Sequence, residues 1–204
     1  ETFKNEAGQS LSKTTASISK ETAEKLVGQA VSNKVDTVEI TVESNNTGKS
    51  DEAKSTEVAI PKSAVDSIAN NTDAGMVIKT GAGQIALDNK ALGTIASATG
   101  GDTVRIVINE NTQLAESQKQ AENVIGSNGT IFDVAAYIGN TRVYDLKEGS
   151  ADVMLPVPEK LKGKDIAVIS ISDKGICQVL NHSMETVGAN SFVKFKTSQF
   201  INYA

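Results

Sequence analysis

The sequence predicts an α+β fold, with strand–helix repeats in the N-terminal half and an antiparallel β-sandwich-like C-terminal half. Three observations lead there. VAIPKSAVDSIA (58–69) aligns without a gap on IALDNKALGTIA (85–96), each reading as a short apolar strand followed by a helix. Beyond residue 129 nearly every segment alternates apolar and polar residues with the period of a strand. Between the two lies ENTQLAESQKQAENVIGSNG (110–129), polar and turn-rich, which reads as a connector. The expected organisation is a tail or linker over 1–13, a strand–helix repeat subdomain over 14–110, a connector over 111–128 and a β-sandwich-like subdomain over 129–204.

Taken in order, Ser19 is placed to cap a helix over KETAEKLVGQAVSN, where Ala23, Leu26, Val27, Ala30 and Val31 share one face. DTVEITV (36–42) alternates as a half-buried strand, and the polar stretch 43–56 reads as an exposed loop or hairpin tip. In the aligned pair, Pro61 suits the first turn of its helix, since it lacks the N–H that would be unpaired there, and Asp88 is a good N-cap. A weaker third copy, SISKETAEKL (17–26), places Ile18 where Ile60 and Leu87 stand, and DTVEITV is echoed by DTVRIVI (102–108). A short helix is expected around Leu114 to Ala121. Strands are then expected at TIFDVAAYI, TRVYDL, ADVMLPV, DIAVISI, ICQVL, FVKFKT and QFINYA, with Pro156 and Pro158 at an edge or strand end.

The glycines of TGAGQIA (80–86) raise the question of a phosphate cradle. A dinucleotide fingerprint needs its helix to begin at the glycines, so that free N–H groups meet the pyrophosphate. Here QIAL reads as a strand and the helix begins only at Asp88, so Gly81-Ala82-Gly83 is expected to turn a hairpin. SNNTGKS (44–50) fails as a phosphate loop because Glu43 stands where its first glycine belongs.

Composition narrows the function classes. Twenty Lys and Arg against 25 Asp and Glu give a net charge of −5 with no long block of either sign, which argues against nucleic acid as a partner. Aromatics are 4% with no Trp, so stacking platforms for bases or sugars are scarce. No apolar run approaches the ~20 residues of a membrane-spanning helix. The opening ETFKNEAG reads as a processed or excised piece, and the lone Cys177 is incompatible with an internal disulfide or a Cys-based zinc site.

The order EVAIPKSAVDSI, MVIKTGAGQIALDNKAL, DTVRIVI, LAESQKQAENVIGSNGTIFDVAAYI, ADVMLPVPEKLKGKDIAVISI and FVKFKTSQFINYA resembles a module recurring in cell-surface proteins of Gram-positive bacteria, over about residues 14–204. Such modules lie beside S-layer homology repeats or Ig-like domains. The resemblance implies an extracellular, wall-associated structural or interaction module, with other domains of the same protein, cell-wall or host glycans, or proteins as partners. That family's closing motif reads like F-x-T-x-H-F-S-x-Y-A; Phe195, Thr197, Phe200, Tyr203 and Ala204 match it, while Gln199 and Ile201 replace the His and Ser. The ending is similar to the self-cleaving site of GAIN-type sandwich domains, where a hydroxyl attacks the preceding peptide bond with help from a His. Gln199 offers no base and Ile201 no nucleophile, so self-cleavage is not expected.

The remaining candidates weigh against an enzyme. Cys177, His182 and Glu185 lie close in sequence, but Cys177 sits inside the apolar ICQVL segment, where an inert thiol is the ordinary reading. Asp51 and Glu52 could serve acid–base chemistry on a polysaccharide, yet they belong to the most polar loop. Sequons at Asn70, Asn128 and Asn181 are surface hints only. No catalytic, cofactor-binding or metal-binding residue is therefore assigned, and no cofactor is expected. The competing reading is a carbohydrate-active or other hydrolytic enzyme whose carboxylates are scattered in sequence, which convergence of several of them in one pocket would revive.

Overall fold

The computed structural model describes residues 2–4, 10–43, 53–111, 113–188 and 190–204. The first part of the chain contributes β1 (Thr2–Lys4), β2 (Ser10–Ser17), α1 (Lys20–Asn33), β3 (Thr37–Thr41), β4 (Ala53–Pro61), α2 (Lys62–Asn71), β5 (Gly75–Thr80), β6 (Gly83–Leu87), α3 (Asn89–Ser97) and β7 (Thr103–Asn111). A 3-10 turn (Glu116–Ala121) runs directly into the short α4 (Glu122–Ile125). Then follow β8 (Ile131–Ile138), β9 (Thr141–Val143), β10 (Ala151–Pro156), β11 (Val168–Ile171), β12 (Cys177–Leu180), β13 (His182–Val187), β14 (Asn190–Thr197) and β15 (Asn202–Tyr203).

The fold is α+β, with two mixed sheets and four short helices. One sheet has nine strands in the order β1-β2-β4-β7-β8-β15-β11-β12, with β9 added beside β8; the other has six in the order β13-β14-β10-β6-β5-β3. Among the described residues only β2/β4 and β3/β5 pair in parallel. Strands from both sides of the connector share each sheet: β7 pairs with β8, and β6 with β10. Buried side chains of both sheets and of α1, α2 and α3 form one contiguous apolar cluster.

The helices have a common task. Each of α1, α2 and α3 takes the chain out of one sheet and into the other, from β2 to β3, β4 to β5 and β6 to β7. The two segments that align in sequence both fold as strand then helix, and aligned positions are buried in both: Val58 and Ile85, Ile60 and Leu87, Ala64 and Ala91, Val65 and Leu92, Ile68 and Ile95. The reason is geometric: alternation sets the inward strand residues and the i, i+1, i+4 spacing sets one helix stripe, so a shared pattern buries a shared face.

Local signals explain the helix starts. Ser19 accepts a hydrogen bond from the Thr22 N–H at 3.2 Å, and Asp88 accepts one from the Ala91 N–H at 2.7 Å. Pro61 falls one residue earlier than the sequence suggests. It ends β4 opposite Thr103 and provides no side-chain cap, leaving the Lys62 N–H to pair with the Asp102 carbonyl at 2.8 Å.

Other boundaries move as well. The expected helix at Leu114 to Ala121 starts two residues later as a 3-10 turn; Leu114 is instead buried against Ala121, Ile169 and Ile171 in a small second cluster. TRVYDL pairs as a strand only over its first three residues, because from Tyr144 the backbone turns to bond the C-terminal segment. Likewise QFINYA is a strand only at Asn202 and Tyr203. β1, β2 and β13 were not foreseen, being polar or without clean alternation; β1 lies within and β2 starts within the segment read as an N-terminal tail, and β4 starts at Ala53, inside the stretch 43–56 read as a loop.

The start of α3 is the best stitched point of the fold. Asp88 also accepts from the Ser150 N–H at 2.9 Å and from the Ser150 hydroxyl at 2.6 Å, so one carboxylate caps the helix and holds the loop before β10. Gly149 makes this possible, since a Cβ there would lie 2.2 Å from the Ala91 nitrogen. We expect Gly149→Ala to cost about 2–4 kcal/mol through that backbone clash, whereas Gly93→Ala, with nothing within 4 Å, should gain up to about 1 kcal/mol from helix propensity. Urea midpoints check both.

Burial alone would raise the Asp88 pKa, but the hydrogen bonds from Ser150 and Ala91 outweigh it and hold the carboxyl below its ordinary value. The stabilisation is therefore complete above the unfolded-state pKa of about 3.9 and is lost as pH falls through the lower folded value. Asp88→Asn should flatten the acid limb of the stability–pH curve, read from denaturation midpoints; an unchanged limb would remove this role.

Candidate functional site

The glycine segment resolves as a hairpin. β5 and β6 pair antiparallel with Thr80 opposite Gly83, so Gly81 and Ala82 form a two-residue turn. Gly83 takes φ of 146°, and a Cβ there would meet the Met154 carbonyl at 2.6 Å, which explains glycine at this position. The Thr80 hydroxyl accepts from the Ala82 N–H and donates to the Gly83 carbonyl, closing the turn. No helix begins at these glycines; α3 starts after Asp88. SNNTGKS (44–50) and the Asp51/Glu52 pair lie outside the described residues.

The Cys–His pairing does not assemble. Cys177 is in β12 at the end of the nine-stranded sheet, and His182 is in β13 at the end of the six-stranded one. The Cys177 thiol is half-buried against the second cluster, 3.7 Å from the Gly175 carbonyl. The exposed His182 ring places Nδ1 at 3.3 Å from the Leu180 carbonyl, and Glu185 pairs with Lys194 at 3.3 Å. Asn70, Asn128 and Asn181 are all exposed.

The C-terminal segment is where the sequence's most specific motif acquires a geometry. In β14 Val193 and Phe195 are buried, while Lys194 and Lys196 point to the other face. The chain then leaves the six-stranded sheet, and Phe200, Ile201 and Tyr203 are buried as it enters the nine-stranded one. The Tyr203 hydroxyl donates to the Gln199 carbonyl and lies 2.9 Å from the Thr197 hydroxyl, which itself accepts from the Gln199 N–H at 3.0 Å. Tyr203 also packs on Phe195 with ring centroids 4.8 Å apart, and burial pushes its phenol up to about 12. Thus Phe195, Thr197, Phe200 and Tyr203 are all spent on one packed corner. The two departures from the motif differ in environment: Gln199 is exposed, and Ile201 is buried.

Sequence reading missed the residue that pins this corner. Arg142 Nη2 donates to Asp133 at 2.6 Å, to the Phe200 carbonyl at 3.2 Å and to the Val134 carbonyl at 3.4 Å. Its guanidinium lies over Tyr144 at 5.0 Å and over Tyr137 at 5.9 Å, and Arg105 stacks on Tyr137 at 4.9 Å. Burial works against the charge of Arg142, but Asp133 and the two tyrosines more than offset it, and its pKa is raised. No local pattern in the sequence points to Arg142, because its hydrogen-bond partners come from β8 and from the C-terminal segment.

A cleft of about 260 Å³ opens where the connector covers one end of the sheets. Phe132, Leu155, Val157, Val168, Val193 and Tyr203 give it an apolar floor, with Asn128 and Asp165 among its polar lining. Among the described residues Asp165 is the only acidic side chain lining it, so no pair of acidic side chains converges there. Among the described residues, no three His, Cys, Asp or Glu side chains are grouped to hold a metal ion, and no helix is long and apolar enough to cross a membrane.

Phe200→Ala should cost about 3–5 kcal/mol, the range for removing a fully buried aromatic side chain, measured by urea denaturation. Ile201 carries no hydroxyl or thiol to attack the Phe200 carbonyl. The chain should therefore stay intact on long incubation, and loss of residues 201–204 in a protease-free sample, seen by mass spectrometry, would overturn this reading.

Comparison with family models, with curated proteins and with solved structures finds no match to this chain.

Proposed function

We propose that the chain is a non-catalytic extracellular module of a bacterial cell-surface or wall-associated protein, which spaces, displays or attaches neighbouring parts. In this reading the two sheets stack as a sandwich, and the three strand–helix–strand units, β2-α1-β3, β4-α2-β5 and β6-α3-β7, are copies of one ancestral element. The resemblance of residues 14–204 to modules of Gram-positive surface proteins gives the reading its biological setting. Partners are then other domains of the same protein, and cell-wall or host glycans or proteins.

The observation that carries the proposal is the fate of the C-terminal motif. Phe195, Phe200 and Tyr203 are buried, and Thr197 closes a hydrogen-bonded ring with Tyr203 and the Gln199 backbone. Residues that mark the family by resemblance are thus consumed by packing and internal hydrogen bonds. Side chains committed to packing and internal hydrogen bonds suit a structural module, whereas chemistry needs a reactive group accessible to a substrate.

The test is a turnover and binding screen on the purified chain. Incubation with peptidoglycan, plant and host glycans and nucleotides should release no product, while co-sedimentation with wall fragments or retention on a glycan array would identify a partner. Turnover of any of these substrates, abolished by a single carboxylate substitution, would replace the proposal with the hydrolytic alternative.

A further inference from the structure

Two consecutive strands, β12 and β13, end different sheets. Each is the last strand of its sheet and pairs on one side only, β12 with β11 and β13 with β14. Among the described residues the backbone N–H and C=O groups along the other side have no strand partner, and such an edge is a template for pairing. Edges are normally protected by lysine, proline or a bulge. The segment ICQVLNHSMETV (176–187) contains no Lys, Arg or Pro, and Glu185 is its one formally charged residue.

Apolar exposure concentrates here too. Among the described residues eight large hydrophobics are exposed, and four of them lie within these twelve positions: Ile176 at 58%, Val179 at 75%, Met184 at 51% and Val187 at 59%. The remaining four are spread over α1, the turn that follows it, α4 and the turn after β9. Met184 stands opposite Val193, which is buried, so it lies on the core-facing side of its sheet and prolongs the apolar interior to the open edge.

We propose that β13 pairs antiparallel with β13 of a second copy of this chain, across a two-fold axis centred on Met184, continuing the six-stranded sheet into its partner. Charge selects this register. A two-fold antiparallel pairing that keeps the faces matched and engages most of the six-residue strand centres on either Met184 or Glu185. Centring on Glu185 would set two carboxylates directly opposite each other, which is unfavourable. Centring on Met184 sets the two methionines together, Ser183 opposite Glu185 and His182 opposite Thr186, with no like charges opposed. Glu185 keeps its ion pair with Lys194 in this arrangement.

Sedimentation velocity on the 204-residue chain, over concentrations on the order of 10–200 µM, should show a concentration-dependent monomer–dimer equilibrium. Met184→Lys, at an exposed position, should abolish the dimer and leave unchanged the thermal unfolding midpoint measured at dilutions where the parent chain is monomeric. Cysteine cross-linking reads the register independently of affinity. In a Cys177→Ser background, Met184→Cys places two thiols on residues directly opposite, about 4.5–5.5 Å apart between Cα atoms and within disulfide reach. Glu185→Cys faces Ser183 of the other copy instead and should oxidise to a covalent dimer at least about tenfold more slowly, because its own counterpart lies beyond bridging distance. A chain that stays monomeric over the whole range, a dimer that survives Met184→Lys, or equal cross-linking of the two cysteine variants would each overturn the proposal.

Discussion

Each long helix begins at the end of a strand in one sheet and delivers the chain to the other, and this crossing governs most of the structure. A helix in that position must bury a stripe against the interior while leaving its polar groups paired, so its apolar positions are fixed by the sheets rather than by helix propensity. α2 meets the demand with Ala64, Val65 and Ile68, and α3 with Ala91, Leu92 and Ile95. The small residues let the helices approach, and the branched ones fill the space between. α2 and α3 then lie side by side, and Asn89 ties the end of one to the start of the other by donating to the Thr72 and Ala74 carbonyls at 2.9 and 3.1 Å.

The C-terminal segment makes the same crossing without a helix. Between β14 and β15 only four residues are available, Ser198 to Ile201, so the backbone groups that a helix would satisfy internally need partners elsewhere. They find them in the turn after β9: the Phe200 N–H bonds to the Tyr144 carbonyl and the Leu146 N–H to the Ser198 carbonyl, both at 2.8 Å. Arg142 accounts for the Phe200 carbonyl, and the Thr197–Tyr203 ring for that of Gln199. A buried carbonyl left alone would cost on the order of 1–3 kcal/mol, so an arginine that serves both the Phe200 and Val134 carbonyls is worth its own desolvation.

What could be read from the sequence follows from how local the cause is. Asp88, Ser19 and the Gly81-Ala82 turn act within three or four residues, and each does in the structure what its neighbours imply. The alternating strands 75–80, 103–111 and 131–138 were equally legible, because burial of one face leaves a period of two. β13 was not, since its side chains face solvent and no burial imprints a pattern on HSMETV. The corner around Arg142 was invisible for another reason. Its partners Asp133, Val134 and Phe200 are brought together by pairing across 9, 8 and 58 positions, and no local signature encodes such a meeting.

The absence of pattern in β12 and β13 bears on what the molecule presents to its surroundings. A strand that is neither alternating nor protected is under weak constraint from its own core, and here it exposes Val179, Met184 and Val187. At the opposite end of the six-stranded sheet, β3 also carries a single acidic residue, Glu39, ion-paired with Lys79 at 2.6 Å as Glu185 of β13 is with Lys194. The two ends of one sheet differ instead in where their apolar side chains lie: Val38 and Ile40 of β3 are buried, whereas Met184 and Val187 of β13 are exposed. A two-fold contact at the β13 end would cover that exposed surface on both copies at once, and it closes on itself as a pair rather than running on as a fibre.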